Sequence, residues 1–80
     1  MLKDLTKSSF VIGLKQSLKM LEAGKVHKVY MASDTDRPIA EHIKTECFRK
    51  GVDVEIVSTK AELGKLCRID VGTAVVSVLK

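Results

Sequence analysis

The sequence predicts an α/β fold in which a mixed, mainly parallel sheet of about four strands carries helices on both faces. Short apolar runs alternate with segments of helical periodicity, in the order β-α-β-α-β-α-β. Parallel strands need crossover connections that cover the sheet, which places helices on both of its faces. The length of 80 residues allows a single domain, residues 1–80, and is too short for two.

The first third of the chain predicts two strands with a helix between them. Leu2 and Leu5 could support one helical turn, and an apolar strand over 10–12 ends at Gly13. A helix over 13–23 follows, because its leucines form one narrow stripe, and a glycine stops it. The second strand runs from residue 25 and ends at Asp34.

The middle third predicts a helix and an edge strand. Residues 34–38 form a turn and helix start, in which acids precede the first turn and Pro38 lies where its missing N–H costs nothing. Gly51 closes this helix. In residues 52–57, apolar side chains alternate with acidic ones. This alternation predicts a strand with one solvated face at the edge of the sheet.

The last third predicts a short helix and a central strand. Thr59 and Glu62 have the spacing of a capping box, in which each side chain satisfies a backbone N–H group. Leucines and Cys67 then form the buried stripe of the helix, and a loop over 68–72 follows. Residues 73–79 are rich in valine, as in a central strand.

Composition and charge narrow the function without deciding it. The net charge of +4 and the pI near 9.2 favour a polyanionic partner. The chain has three aromatic residues and no tryptophan, too few for a platform that stacks successive unpaired bases. Any bound RNA is therefore expected to be a structured fold that is read by its edges and phosphates. The absence of a long apolar run or a signal peptide makes the cytoplasm the expected compartment.

The cysteines and histidines do not predict a metal or catalytic site. Cys47 and Cys67 each fall on an apolar helical stripe, where a free cysteine packs as a small hydrophobic residue. His27 and His42 lie at no familiar metal spacing and have no recognisable nucleophile partner, so we expect them to be solvated. The sequence thus predicts no cofactor and no structural zinc.

Residues 13–19 carry the strongest functional signal. Gly13 lets the backbone at a helix start approach a phosphate or a base closely. Gln16 can read a base edge with two hydrogen bonds, and Lys15 and Lys19 can contact phosphates or bases. The alternative interpretations are a tight turn at Gly13 and an ordinary solvated helix face.

Two loops have more than one interpretation. The pair Asp34 and Asp36 could hold a magnesium ion, but chemistry at a helix start explains both acids more economically. In the loop 68–72, Ile69 and Val71 either fold back onto the core or form an exposed apolar wedge for a partner.

Taken together, these segments resemble the ribosomal protein 7Ae superfamily, whose members bind kink-turn RNA. The resemblance covers nearly the whole chain. It rests on three blocks whose spacing also fits: Gly-Leu-Lys-Gln-Ser-Leu-Lys at 13–19, Ala-Ser-Asp-Thr-Asp at 32–36, and Leu-Gly-Lys-Leu-Cys at 63–67 followed by Ile69.

The resemblance implies a three-layer αβα sandwich that grips a sharply bent RNA loop, in which tandem sheared G·A pairs flank a bulge. The helix start at Gly13 would enter the widened groove. Lys15 and Gln16 stand where archaeal and eukaryotic members have Asn and Glu, and Lys19 keeps the family's lysine. This pattern resembles a bacterial branch of the superfamily.

The resemblance also implies contacts from two loops. Asp36 is the nearest match to an acid before the second helix, and Arg68 stands in the position of a glycine. If a positive φ is needed at that position, Arg68 is sterically disfavoured; otherwise it adds a phosphate contact. Ile69, Asp70 and Val71 complete the loop that would pack against a bulged nucleotide.

We therefore expect a non-enzymatic protein that recognises and stabilises kink-turn RNA in a ribosomal or regulatory RNA, with the ribosome as one setting and no membrane partner. The alternatives are a protein-interaction module of the same fold, which would use Ile69 and Val71, and an accessory domain of RNA-modifying machinery.

Overall fold

The computed structural model describes residues 9–80 and contains seven elements in the predicted order. They are β1 (Phe10–Ile12), α1 (Leu14–Glu22), β2 (Val26–Ala32), α2 (Arg37–Lys50), β3 (Asp53–Val57), α3 (Lys60–Leu66) and β4 (Val75–Leu79). The bounds differ from the expected ones by one or two residues at most ends. The helical turn expected at Leu2 and Leu5 lies outside the described residues.

The four strands form one mixed sheet in the order β1-β4-β2-β3. The β2 and β3 strands are parallel, whereas β4 is antiparallel to both of its neighbours, β1 and β2. The valine-rich β4 is central, as predicted, and β3 is at an edge. The expectation of a mainly parallel sheet was wrong, because only one of these three pairings is parallel.

The reversed direction of β4 follows from the short connection after β3. A seven-residue helix such as α3 advances the chain by only about 10 Å. The loop after α3 then folds back along that helix, because the backbone N–H of Thr73 donates to the carbonyl of Lys60 at 3.1 Å. The chain thus returns to the end of the sheet where β3 finished, and β4 begins there.

Helices cover both faces of the sheet, which confirms the three-layer αβα arrangement. One apolar cluster lies between the sheet and the pair α1 and α2, and the other lies between the sheet and α3. The buried members of the first cluster are Leu21, Val26, Val29, Met31, Ile43, Cys47 and Val75, and those of the second are Val57, Leu63, Cys67, Val76 and Val78. Both cysteines are core residues, as predicted.

Several local signals in the sequence act as expected. Gly51 ends α2 in the left-handed conformation with φ of 68°. The Thr59 hydroxyl caps α3 by accepting from the backbone N–H of Glu62 at 3.0 Å, which is one half of the expected capping box; within residues 9–80 the Glu62 side chain does not return the hydrogen bond. The edge strand departs from the simple alternation, because Val57 is buried against α3 whereas Ile56 is 49% exposed. Within residues 9–80, no helix has the length and apolar character that crossing a membrane requires.

Candidate nucleic-acid interface

Three helix starts and the beginning of β4 meet at one end of the sheet, which we call the upper end. The backbone N–H of Gly13 donates to the carbonyl of Val75 at 2.8 Å, and that of Ala32 donates to Ala74 at 2.9 Å. Because β1, β2 and β3 all finish here, the helices that follow them all begin here. Helix N-termini present unpaired N–H groups and partial positive charge, so this end of the fold suits an anionic ligand.

The start of α1 requires a glycine because of its backbone conformation. Gly13 has φ of 99° and ψ of 161°, a conformation that residues with a Cβ adopt only with strain. A Cβ built at this position would meet no atom within 4 Å, so the space beside Gly13 is open. Gly13 is therefore a tight turn, as the plainer interpretation holds, and it also leaves the first turn of α1 accessible.

The α1 helix has the buried and solvated sides that its sequence predicts. Leu21 and Ser17 are buried, whereas Lys15, Gln16 and Lys19 are exposed. None of these three exposed side chains has an ion pair or a side-chain hydrogen bond within residues 9–80. Two cations and one amide are thus available on the first two turns of the helix.

The turn 33–36 holds the start of α2 against both α3 and β4. The Asp34 carboxylate accepts from the backbone N–H of Lys60 at 2.9 Å, and the Ser33 hydroxyl donates to the carbonyl of Ser58 at 2.6 Å. Asp36 precedes α2 in the N-cap position, but its exposed carboxylate makes no capping hydrogen bond. In residues 9–80, no group of three acidic, histidine or cysteine side chains could hold a metal ion.

In the loop 68–72, the structure shows whether Arg68 has the positive φ that the sequence left open. Arg68 is exposed and has φ of 57°, the one positive φ of a residue other than glycine among residues 9–80. The position therefore has the left-handed conformation that favours glycine. Arg68 adopts this conformation although it carries a Cβ.

Ile69 and Val71 have different roles in this loop. Ile69 is partly buried and packs against the cluster under α3, whereas Val71 is 69% exposed. Each of the two interpretations thus holds for one residue: Ile69 folds back onto the core, and Val71 projects from the surface. Asp70, between them, is exposed.

Sequence reasoning missed what holds this loop in place. A Cβ at Gly64 would clash with the carbonyl of Val71, and one at Gly72 would lie 3.1 Å from backbone atoms of Lys60. The backbone N–H of Ile69 also donates to the carbonyl of Gly64 at 3.1 Å. A glycine inside a helical segment is a known signal of close backbone approach, so Gly64 could have been recognised from the sequence.

The predicted site residues lie on three separate segments of the chain. The α1 segment carries Gly13, Lys15, Gln16 and Lys19, the α2 start carries Asp36, and the loop before β4 carries Arg68, Ile69, Asp70 and Val71. Backbone hydrogen bonds from Gly13 to Val75 and from Ala32 to Ala74 bring the residues that follow the third segment beside the residues that precede α1 and α2.

Comparison with known proteins supports a shared ancestry along almost the whole chain. The model of the ribosomal protein L7Ae/L30e/S12e/Gadd45 family matches residues 2–80. An RNA-binding protein of Caldanaerobacter subterraneus is 42% identical over 64 residues, which are 80% of this chain and 78% of that protein. RNA-binding protein YbxF of Geobacillus stearothermophilus is 37% identical over 78 residues, covering 98% of this chain and 95% of that protein.

A solved structure of similar shape adds to these relatives. The 15.5kD RNA binding protein of Giardia lamblia superposes with a TM-score of 0.83 and is 32% identical, covering 92% of this chain and 62% of that protein. The sequence matches and the αβα architecture agree, and the chain belongs to the ribosomal protein L7Ae/L30e/S12e/Gadd45 family.

Proposed function

We propose that this chain is a non-enzymatic RNA-binding protein that recognises and stabilises kink-turn RNA. The observation that carries the proposal is the start of α1 at the upper end of the sheet, where an open glycine turn is followed by two exposed lysines and one exposed amide that have no side-chain partner among residues 9–80. The names of its relatives, which are RNA-binding proteins, support the same conclusion.

The α1 segment would read the RNA. Its open start at Gly13 admits a phosphate or a base edge to the first N–H groups of the helix. The amide of Gln16 can both donate to and accept from the edge of a sheared G·A pair, whereas a glutamate could only accept. Lys15 and Lys19 would contact phosphates or guanine acceptors on either side.

The loop before β4 would form the second half of the clamp. Ile69 anchors it in the core, which leaves Val71 positioned to pack against a bulged nucleotide. Arg68 would contact the phosphate backbone, and Asp70 and the Asp36 carboxylate would accept hydrogen bonds from nucleotides of the bend. The hydrogen bond from Gly13 to Val75, which lies just after this loop in the chain, supports a common role for the two halves.

The binding energy would act by population shift. An RNA internal loop visits the kinked form transiently, and a protein that binds the kinked form more tightly than the extended one raises its population. Moving a loop from mostly extended to mostly kinked requires a preference of about 10⁴-fold. No reacting group is needed for this activity.

Titration against three matched RNAs tests the proposal. The RNAs are a kink-turn, the same RNA with its sheared G·A pairs replaced by Watson–Crick pairs, and a plain duplex of equal length. Donor and acceptor dyes on the two arms report bending by energy transfer. We expect tight binding and increased energy transfer with the kink-turn alone, and weak, salt-sensitive binding to the other two.

Two outcomes would contradict the proposal. Equal affinity for all three RNAs would show that the upper end is a cationic surface that binds RNA without specificity. Undetectable binding to every RNA would favour the alternative of a protein-interaction module. We further propose a bacterial cytoplasmic setting with a ribosomal or regulatory RNA as the target, which crosslinking and sequencing of RNA bound in cells would identify.

A further inference from the structure

The loop 68–72 is held against α3 by backbone hydrogen bonds near both of its ends. The N–H group of Ile69 donates to the carbonyl of Gly64 at 3.1 Å. The N–H group of Thr73, just after the loop, donates to the carbonyl of Lys60 at 3.1 Å. Lys60 and Gly64 lie about one helical turn apart in α3. The loop therefore runs back along one side of the helix, from its middle to its first residue.

Gly64 lets the loop lie directly on the helix. This residue is buried in the interior of α3, where alanine would favour the helix more than glycine does. A Cβ built at Gly64 would clash with the carbonyl oxygen of Val71 and lie 3.2 Å from the Cα of Gly72. A carbon atom and a carbonyl oxygen need a separation of about 3.3 Å or more. The loop thus passes over α3 at a distance that only a glycine permits.

Gly72 makes a second contact of the same kind, but a less tight one. A Cβ built there would lie 3.1 Å from the carbonyl carbon, the carbonyl oxygen and the Cβ of Lys60. Neither Gly64 nor Gly72 is among the glycines with positive φ. An alanine at either position would therefore change the contact between the loop and α3, and not the local backbone preference.

The carbonyl that lies against Gly64 belongs to the loop residue whose apolar side chain is exposed. Val71 is 69% exposed, whereas Ile69 packs against the cluster under α3. The helix thus contacts Val71 through its backbone and leaves its side chain accessible to a ligand. Moving this carbonyl away from α3 would also move the side chain, because both groups belong to one residue.

We propose that Gly64 and Gly72 are positioning residues for RNA binding. They let the loop 68–72 lie on α3 in the free chain, so that Val71 is already in place when RNA arrives. A loop that is ordered beforehand loses less conformational entropy on binding, which raises affinity. Gly64 is buried and acts only through the loop. This inference rests on the proposed function, in which Val71 packs against a bulged nucleotide.

A matched glycine separates this role from a purely structural one. Gly51 has φ of 68° and ends α2, at the opposite end of that helix from the turn 33–36. Gly51→Ala strains the backbone there, and its Cβ would meet no atom within 4 Å. If Gly64 served only the stability of the fold, Gly51→Ala and Gly64→Ala would affect RNA binding alike.

The test measures the affinity of the full chain for a kink-turn RNA and for a plain duplex, at a temperature where thermal unfolding shows each variant to be folded. We expect Gly64→Ala to lower affinity for the kink-turn by at least about tenfold and for the duplex by less than about twofold. Gly72→Ala should lower affinity for the kink-turn by at least about threefold, because its contact is less tight. Gly51→Ala should leave both affinities unchanged.

A double variant shows whether Gly64 acts through Val71. Val71→Ala keeps the carbonyl that lies against Gly64 and removes most of the side chain. In the Val71→Ala background, Gly64→Ala should lower affinity for the kink-turn by less than about threefold, because the contact that it displaces is already lost. Independent structural damage would instead give the same fold-loss in both backgrounds.

The position of the loop can be measured without RNA. In the ¹⁵N-labelled free chain, Gly64→Ala should shift the amide signals of Asp70 and Val71 and leave those of Lys15 and Gln16 in place. If the wild-type chain did not bind the kink-turn, the proposed function would fail, and these signals would still show whether the two glycines hold the loop.

Three results would overturn the positioning role. These are wild-type affinity for the kink-turn in both Gly64→Ala and Gly72→Ala, equal fold-losses in the two backgrounds, or loop signals that do not move in either variant. If Gly64→Ala fails to fold, Gly72→Ala keeps the test decisive, because its added Cβ meets no atom closer than 3.1 Å.

Discussion

The backbone N–H of Lys60 donates a hydrogen bond to the Asp34 carboxylate, with 2.9 Å between the nitrogen and Oδ1. Lys60 is the first residue of α3, and the N–H groups of the first turn of a helix have no partner within that helix. The acid that follows β2 thus caps a helix that begins 26 residues later in the chain. Since the carbonyl of Lys60 accepts from Thr73, the same residue joins the turn 33–36 to the loop before β4.

Replacing Asp34 should destabilise the fold without removing an RNA contact. We expect Asp34→Ala to lower the free energy of unfolding by about 1 kcal/mol, the usual effect of losing a side-chain cap. Asp34→Asn keeps an acceptor and should lose about half of that or less, through the lost charge at a helix start. Urea unfolding measures both changes. A magnesium-dependent stability that disappears in Asp34→Ala would instead support the metal interpretation of this turn.

Arg68 allows backbone strain to be separated from charge. A residue with a Cβ at φ of 57° is disfavoured by about 1 kcal/mol, so Arg68→Gly should unfold at higher urea concentration than Arg68→Lys, which has the same strain and keeps the cation. If Arg68 contacts phosphate, Arg68→Gly should also lower the salt dependence of RNA binding by about one unit while Arg68→Lys retains it. Equal slopes for the two variants would remove Arg68 from the RNA contacts.

The element order could be predicted from the sequence because each element carries its own local signal. The stripe of Leu14, Leu18 and Leu21 determines α1, and the left-handed residue Gly51 ends α2. Such signals depend on near neighbours in the chain. The direction of β4 depends instead on how the loop 68–74 folds along α3, which is decided by the contacts at Gly64 and Gly72.

Only the part of the candidate site that depends on local signals could be predicted from the sequence. Lys15, Gln16 and Lys19 share one exposed helix side, which periodicity alone indicates. Periodicity does not indicate whether an apolar residue in a loop packs against the core. Ile69 does so and Val71 does not, and only their contacts with distant residues distinguish them. The alternation along β3 predicted an edge strand, but it grouped Ile56 with the buried apolar side chains, whereas Ile56 is 49% exposed in the structure.

Cys47 should make stability fall in alkaline solution. Its burial against α1 and the sheet, with Glu46 as a further cause, raises the pKa of the thiol from 9.0 to about 11. The folded chain therefore keeps a proton that the unfolded chain releases between these values, so stability falls as the pH rises from 9 toward 11.

A comparison with Cys47→Ala isolates this effect from other alkaline titrations, including that of Lys28, whose pKa is raised by its hydrogen bond to Glu55. Between about pH 8 and pH 10, the wild-type chain should lose about 1 kcal/mol more stability than the variant. Identical pH profiles would mean that the Cys47 thiol ionises as readily in the folded chain as in the unfolded one.

Gln16 and Lys19 lie three residues apart on the exposed side of α1, and they should contribute to RNA binding in different ways. Gln16→Ala should weaken binding to a kink-turn by about 1–3 kcal/mol, because it removes a base-edge contact, and leave binding to a plain duplex unchanged. Lys19→Ala should weaken binding to both and lower the salt slope by about one unit, as expected for a phosphate contact. Glu22→Ala, on the last turn of the same helix, serves as the matched control and should leave selectivity unaltered.

If Gln16→Ala lowered affinity for the kink-turn and the duplex equally, the amide would be a general surface contact, and base reading would have to come from Lys15 or from the backbone at Gly13. Measuring all three variants against both RNAs at several salt concentrations therefore separates the group that reads sequence from the group that supplies charge.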